Sequence, residues 1–152
     1  PQMSGYVLLY QVGGISNKLW KCARNIAKRK KTKLIVLYSE YYPLSKYTPK
    51  RGIFGYSPEE FLGWFDNADC VITNSFHGTA FSIIYHKKML VDINSWTKNN
   101  RAYELMIKLG LELRTIDSQC DIEQPIDWSR VEEKLDWLRK DAKQYLDKIL
   151  KS

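Results

Sequence analysis

Short apolar runs alternate along the chain with longer segments of helical periodicity, and this alternation constrains the fold more than any other feature. The apolar runs, each typical of a strand buried on both faces, cover residues 6–12, 34–38, 70–73 and 89–93. The intervening and following segments predict helices at residues 17–31, 58–67, 76–85, 102–109 and 127–151. Strands separated by helices of this length indicate a mainly parallel sheet. We therefore predict one Rossmann-like, three-layer α/β domain over residues 1–152.

The last predicted helix is amphipathic. One of its faces carries the apolar residues Val131, Leu135, Leu138, Ala142, Tyr145 and Ile149.

The alternation also indicates where a ligand would bind. In parallel sheets of this kind, ligands lie beyond the carboxyl ends of the strands, where helix N-termini present free N–H groups. In this chain the corresponding segments are residues 13–17, 39–56, 74–79 and 94–101.

A polar motif, N-S-F-H-G-T, follows the third predicted strand and opens the next helix. Asn74 or Ser75 is the natural N-cap, which places His77 in the first helical turn. Gly78 would let a ligand approach the backbone, and the Thr79 hydroxyl would add a hydrogen-bonding group. Together with the free N–H groups these residues predict an anion site, in which a neutral His77 could accept a proton. A histidine that merely caps or packs fits the same pattern.

Arg101 begins a predicted helix, where a cation opposes the helix dipole. A cation at this position is explained if the guanidinium binds a carboxylate or a phosphate through two hydrogen bonds. A solvated arginine that bends away from the dipole is the alternative.

Several other kinds of site are disfavoured. Ser75 and His77 are two residues apart and lack a G-x-S-x-G elbow, which argues against a serine hydrolase. The Gly13-Gly14 turn is neither a dinucleotide fingerprint nor a Walker loop. The three cysteines are far apart and suggest buried thiols, with neither a disulfide framework nor a zinc site. We expect no metal and no cofactor.

The basic residues are concentrated at one end of the chain. The formal net charge is +7, and residues 1–50 hold ten Lys and Arg against the single acid Glu40. The run at residues 28–31 would suit a nucleic acid or lipid headgroups. It also falls at a helix C-terminus, where cations are favoured, so a solvated face explains it as well. No nucleic-acid motif accompanies it, and we expect no nucleic-acid partner.

Residues 57–114 resemble the C-terminal domain of the polysaccharide pyruvyl transferase family. The resemblance rests on the S-P-E-E-F-L opening, the N-S-F-H-G-T-A-F-S core and a later N-x-R pattern followed by L-G-L. Residues 126–150 are also similar, with I-D-W before a long helix, whereas residues 1–56 share only the strand–helix layout. One departure is His86-Lys87-Lys88, which lacks the Gly/Asn-Lys-Pro character common at that turn.

The resemblance implies a function. Family members have two Rossmann-like halves, like B-type glycosyltransferases, and transfer pyruvate from phosphoenolpyruvate to a sugar hydroxyl of a bacterial cell-surface polysaccharide or its precursor. It implies that His77 acts as an acid/base or a phosphate ligand and that Arg101 is catalytic. The substrate-binding residues carried over for phosphate and carboxylate are Asn74, Ser75, Gly78, Thr79 and Asn100.

The resemblance also sets expectations for partners and location. The chain begins Pro-Gln-Met and would be the donor-binding half of a longer enzyme, inactive without its N-terminal domain. The expected partners are the donor, a saccharide acceptor and that domain, in the cytoplasm or peripherally at the inner membrane. Two alternatives stay open: a sugar-nucleotide glycosyltransferase of the same architecture, and a non-catalytic basic binding module.

Overall fold

The computed structural model describes residues 3–13, 16–38, 52–93, 101–118 and 120–150. Its four strands are β1 (Tyr6–Gln11), β2 (Leu34–Tyr38), β3 (Ala68–Thr73) and β4 (Lys88–Val91). Its five helices are α1 (Asn17–Arg29), α2 (Pro58–Asp66), α3 (Phe76–Ile84), α4 (Arg101–Leu109) and α5 (Trp128–Leu150).

The strands form one sheet in the order β2-β1-β3-β4, and every neighbouring pair is parallel. The predicted α/β class is therefore confirmed. The chain leaves β1 toward β2 on one side and returns to place β3 on the other side of β1. The carboxyl ends of β1 and β3 consequently define a topological switch point, which is where sheets of this type bind ligands.

Helices cover both faces of the sheet because alternate side chains of each buried strand point to opposite sides. Val7 and Leu9 pack with Leu19 of α1. Leu8 and Tyr10 belong to the cluster on the other face, which includes residues of α2 to α5. The two apolar clusters give the three-layer arrangement that the sequence predicts.

Local signals explain where two helices begin and end. The Ser57 hydroxyl accepts from the Glu60 N–H at 3.2 Å, and the Glu60 carboxylate accepts from the Ser57 N–H at 2.8 Å, which forms a capping box at α2. Gly110 follows α4 with φ +75°, a conformation that suits glycine.

The element bounds differ slightly from the prediction. β3 begins at Ala68, two residues early, and β4 ends at Val91. α1 ends at Arg29, because Lys31 turns the chain with φ 53°.

Acidic residues distant in sequence pair with basic residues of α1 and with Lys30, which follows it. Lys18 contacts Asp117, and Arg29 lies 2.7 Å from Asp121. Lys30 lies 2.7 Å from Asp69 and also contacts Glu123, which in turn reaches Lys88 at 2.5 Å. Lys18 and Arg29 stay about half exposed (49% and 54%), so the face is solvated but partly neutralised, whereas Lys30 is largely covered, at 19%. Within the described residues no helix has the length and apolar character needed to cross a membrane.

Candidate functional site

The site lies at the switch point, where Asn74 joins the ends of the two central strands. Its Oδ1 accepts from the Val12 N–H at 2.9 Å, and its Nδ2 donates to the Val12 carbonyl at 3.0 Å. The side-chain amide thus makes the two hydrogen bonds that a backbone group of a paired strand would make, and it extends the pairing of β1 with β3 by one position. Asn74, predicted to bind substrate, here fixes the floor of the crevice.

Ser75 is the N-cap of α3. Its hydroxyl accepts from the Gly78 N–H at 3.4 Å, and its own N–H donates to Thr73 Oγ1 at 3.0 Å. The Ser75 hydroxyl also acts on the Tyr10 phenol, whose pKa it lowers against the effect of burial. Ser75 is buried, so these contacts orient the first turn of the helix.

Gly78 and Thr79 face the protein interior. A Cβ added at Gly78 would lie 2.3 Å from Thr73 Oγ1 and 3.0 Å from Tyr10 Cδ1. The glycine therefore allows α3 to approach the sheet, whereas the sequence suggested room for a ligand. Thr79 is fully buried, and its hydroxyl donates to the Ser75 carbonyl at 3.0 Å.

The first two N–H groups of α3, those of Phe76 and His77, are left for a ligand. No atom of the described residues accepts from them, as expected for the first turn of a helix. The His77 side chain is exposed beside them. Backbone donors, the positive end of the helix dipole and an imidazole therefore share one edge of the crevice.

The Phe76 ring contacts both Arg101 and His77. The Arg101 guanidinium lies 5.1 Å from the centroid of the Phe76 ring, in a cation–π contact. The same ring lies 5.8 Å from the His77 imidazole, edge to face. Sequence reasoning selected both polar residues but missed Phe76, although it stands inside the N-S-F-H-G-T motif. Asn100, the other predicted residue here, lies outside the described residues.

An aromatic pocket of about 300 Å³ opens beside His77. It is lined by Tyr10, Tyr56, Ser57, Pro58, Phe61, His77 and Phe81. The Tyr56 hydroxyl donates to the Tyr38 carbonyl at 2.8 Å, and burial raises the pKa of Tyr56 to about 12. Burial also raises the pKa of Tyr10, although the Ser75 hydrogen bond opposes it. Both phenols stay protonated at neutral pH, and the Tyr56 proton is held by the Tyr38 carbonyl.

Other chemistry is sparse near the crevice. Among the residues that the structure describes, no three His, Cys, Asp or Glu side chains come together as a metal-binding group. The ion pairs of Lys30 with Asp69 and Glu123 lie near the start of β3, at the opposite edge of the sheet. The groups at the crevice are therefore the backbone N–H groups that open α3 and the His77 imidazole.

The fold and this crevice define a Rossmann-like α/β domain with an exposed helix start at its switch point. A family model described as polysaccharide pyruvyl transferase matches residues 15–91, about half of the chain. The chain belongs to the polysaccharide pyruvyl transferase family, as the sequence motifs indicated. The matched residues include the start of α3 and stop before Arg101. Comparison with curated proteins and with solved structures gave no match.

Proposed function

We propose that this crevice binds phosphoenolpyruvate and that the chain contributes the donor site for pyruvyl transfer to a sugar of a cell-surface polysaccharide or its precursor. One observation carries the proposal. Phe76, the first residue of α3, contacts both the Arg101 guanidinium and the His77 imidazole. A guanidinium, the backbone N–H groups of a helix start and an imidazole therefore all adjoin one side chain.

The chemistry of the donor fits these groups. Phosphoenolpyruvate carries a phosphate, suited to the helix N-terminus, and a carboxylate, suited to bidentate binding by Arg101. In ketal formation two sugar hydroxyl oxygens bond to C2 and the bond from C2 to the phosphate oxygen breaks. One hydroxyl proton reaches C3, which becomes a methyl group, and the other leaves with the phosphate. His77 is placed to move such a proton.

The aromatic pocket supports a carbohydrate acceptor. Its walls are the rings of Tyr10, Tyr56 and Phe61, and aromatic rings pack well on the apolar C–H face of a sugar. The Tyr56 hydroxyl donates its proton to the Tyr38 carbonyl, so its oxygen is left to accept a hydrogen bond from a sugar hydroxyl. His77 lines this same pocket, so an acceptor there would meet the proton carrier.

The test is phosphoenolpyruvate binding to the 152-residue chain, measured by titration calorimetry. His77→Ala and Arg101→Ala are each expected to weaken binding by about tenfold or more, because each removes a charge-assisted or direct contact. Matched controls are His86→Ala and Arg139→Ala, which change the other histidine and an exposed arginine of α5. Equal loss in the controls, or wild-type affinity in both site variants, would contradict the proposal.

Turnover requires a second measurement. Phosphate release from phosphoenolpyruvate with a polysaccharide acceptor should disappear in both site variants of the complete encoded protein.

We also propose that a second α/β half completes the site and that the reaction takes place at the cytoplasmic side of the membrane. Preference for a nucleoside-diphosphate sugar over phosphoenolpyruvate would favour a glycosyltransferase instead.

A further inference from the structure

The fold divides the cations of α1 into two sets. The helix contains five Lys and Arg residues and no acid. Lys18 and Arg29 pair with acids from elsewhere in the chain. The other three cations, here called the outer stripe, are Lys21, Arg24 and Lys28. All three are exposed, and no ion pair among the described residues includes them.

The outer stripe points away from the sheet. Successive residues of an α-helix are about 100° apart around the axis, so the three side chains of the stripe fall within about 60° of one another. By the same spacing their centre is about 150° from the centre of the buried residues of α1, which are Leu19, Ala23, Ile26 and Ala27. Lys18 and Arg29 project from the flank between these two directions. That flank reaches acids of the domain, whereas the outer stripe faces outward.

α1 also forms the outermost layer on its face of the sheet. Within the part of the chain that the structure describes, the apolar cluster on that face takes its helical residues from α1 alone. Trp20 lies beside the outer stripe and is half-buried against this cluster. The stripe shares one groove with Trp20, Asn17 and Asn25, and no carboxylate is among the described residues that line it. This face therefore presents cations, amides and an indole over about 10 Å of helix.

We propose that this face of α1 docks on an anionic lipid bilayer. The complementary charge is the phosphate of acidic headgroups, which attracts clustered Lys and Arg side chains at a membrane surface. Because the stripe lies on the outward side of an exposed helix, a flat surface can contact all three cations at once. Their apolar stems can stay on the helix while the charged ends extend to the headgroups.

Trp20 favours a bilayer over a soluble polyanion. Tryptophan is enriched at membrane–water interfaces, where the ring meets the apolar layer and the N–H stays among polar groups. A nucleic-acid duplex offers phosphates to the outer stripe but no apolar layer to an indole on its flank. The bilayer therefore accounts for both the unpaired cations and the neighbouring aromatic ring.

Docking in this orientation leaves the crevice open. The bilayer would lie parallel to the sheet on the side of α1, whereas α3, which carries His77, packs in the cluster on the opposite side. The inference therefore does not depend on the donor site. His77→Ala should bind vesicles as the wild type does, even if it no longer binds phosphoenolpyruvate.

The experiment is co-sedimentation of the 152-residue chain with vesicles made of equal parts of phosphatidylglycerol and phosphatidylcholine. Vesicles of phosphatidylcholine alone provide the neutral comparison. The chain should prefer the acidic vesicles, and added salt should weaken the binding. A triple variant that neutralises the outer stripe should bind them about a hundredfold more weakly, at about fivefold per cation. Its changes are Lys21→Gln, Arg24→Gln and Lys28→Gln.

The matched control removes the same charge from exposed lysines of α5. Its changes are Lys140→Gln, Lys143→Gln and Lys148→Gln. Because these positions are remote from the proposed contact and are screened by salt, the control should bind within about threefold of the wild type. Circular dichroism confirms that both triple variants keep their helices.

Tryptophan fluorescence tests which face meets the bilayer. Brominated lipids in the acidic vesicles should quench the wild type, and Trp20→Phe should lose part of this quenching. Trp137→Phe, which changes a 65% exposed tryptophan of α5, should lose none.

Several outcomes would overturn the proposal. They are equal binding to neutral vesicles, equal loss in the two triple variants, and quenching that is unchanged in Trp20→Phe. Tighter binding to duplex DNA or to polygalacturonate than to the acidic vesicles at the same salt concentration would also overturn it, because the face would then serve a soluble polyanion.

Discussion

Asn74 and Val12 are 62 residues apart in sequence, yet the side-chain amide of one pairs with both backbone groups of the other. The pair closes the gap between the central strands at the edge where α3 begins. Backbone groups that would otherwise compete for a ligand or for water are satisfied there. The crevice therefore has a fixed floor, and the groups still available to a ligand lie one turn further along α3.

Asn74→Ala is expected to reduce the free energy of unfolding by about 1–3 kcal/mol, because two hydrogen bonds are lost and the Val12 groups lose their partner. Urea denaturation measures the change. Asn25→Ala, on the exposed side of α1, serves as the control and should change stability by less than about 0.5 kcal/mol. Equal effects of the two substitutions would show that the Asn74 bridge adds nothing.

Gly78→Ala should also destabilise the fold, by about 1–3 kcal/mol, because its methyl group would overlap the Thr73 side chain. If that overlap is the cause, adding Thr73→Ala should cost less than the sum of the two single changes by at least about 0.5 kcal/mol. Chemical denaturation of the four proteins in this cycle supplies the numbers. Strict additivity would mean that the strain arises elsewhere.

Glu123 should contribute stability that depends on pH. Hydrogen bonds from Lys30 and Lys88 lower the pKa of its carboxyl to about 2. An unfolded glutamate titrates near about 4.3, so the contribution is present above that pH and is lost as the pH falls toward 2. Because the group is largely exposed, the contribution stays below about 1 kcal/mol.

Unfolding of the wild type and Glu123→Gln between pH 6 and pH 2 measures this contribution. The wild type should be more stable at pH 6, and the difference should vanish at about pH 2. Glu112→Gln, an exposed glutamate outside the network, is the control. A difference that persists unchanged at the acid end would contradict an electrostatic origin.

Cys70 should resist alkylation in the native chain. It is fully buried within β3, and burial raises the pKa of its thiol to about 12. The reactive thiolate is then scarce and shielded at pH 8. Mass spectrometry after iodoacetamide treatment should find Cys120, which is partly exposed, modified first, with Cys70 modified only in denaturant. Rapid native labelling of Cys70 would mean that β3 is not in the core.

Local sequence signals were sufficient for the elements and their caps. The Ser57-Pro58-Glu59-Glu60 start and Gly110 act within one or two turns, so their structures follow from neighbouring residues. Strand order and the contact of Arg101 with Phe76 could not be obtained this way. Each joins distant parts of the chain and depends on how the whole sheet packs.

The cations of α1 illustrate the same limit. Their position at a helix C-terminus favoured a solvated face, yet Arg29 and Lys30 find acids about 90 residues further along the chain. Lys21, Arg24 and Lys28 pair with no acid among the described residues and line a groove with Trp20. Net charge per segment thus overstated how much positive surface the fold presents.

The position of β3 between β1 and β4 has a consequence for dynamics. Amide groups of interior strands exchange with solvent only when the whole domain opens. The end of β3, from which α3 starts, therefore cannot unfold locally. Hydrogen exchange at residues 70–73 should accordingly report the global free energy of unfolding. Any rearrangement of the crevice is then expected in its side chains and on the side of α4, while the start of α3 stays fixed.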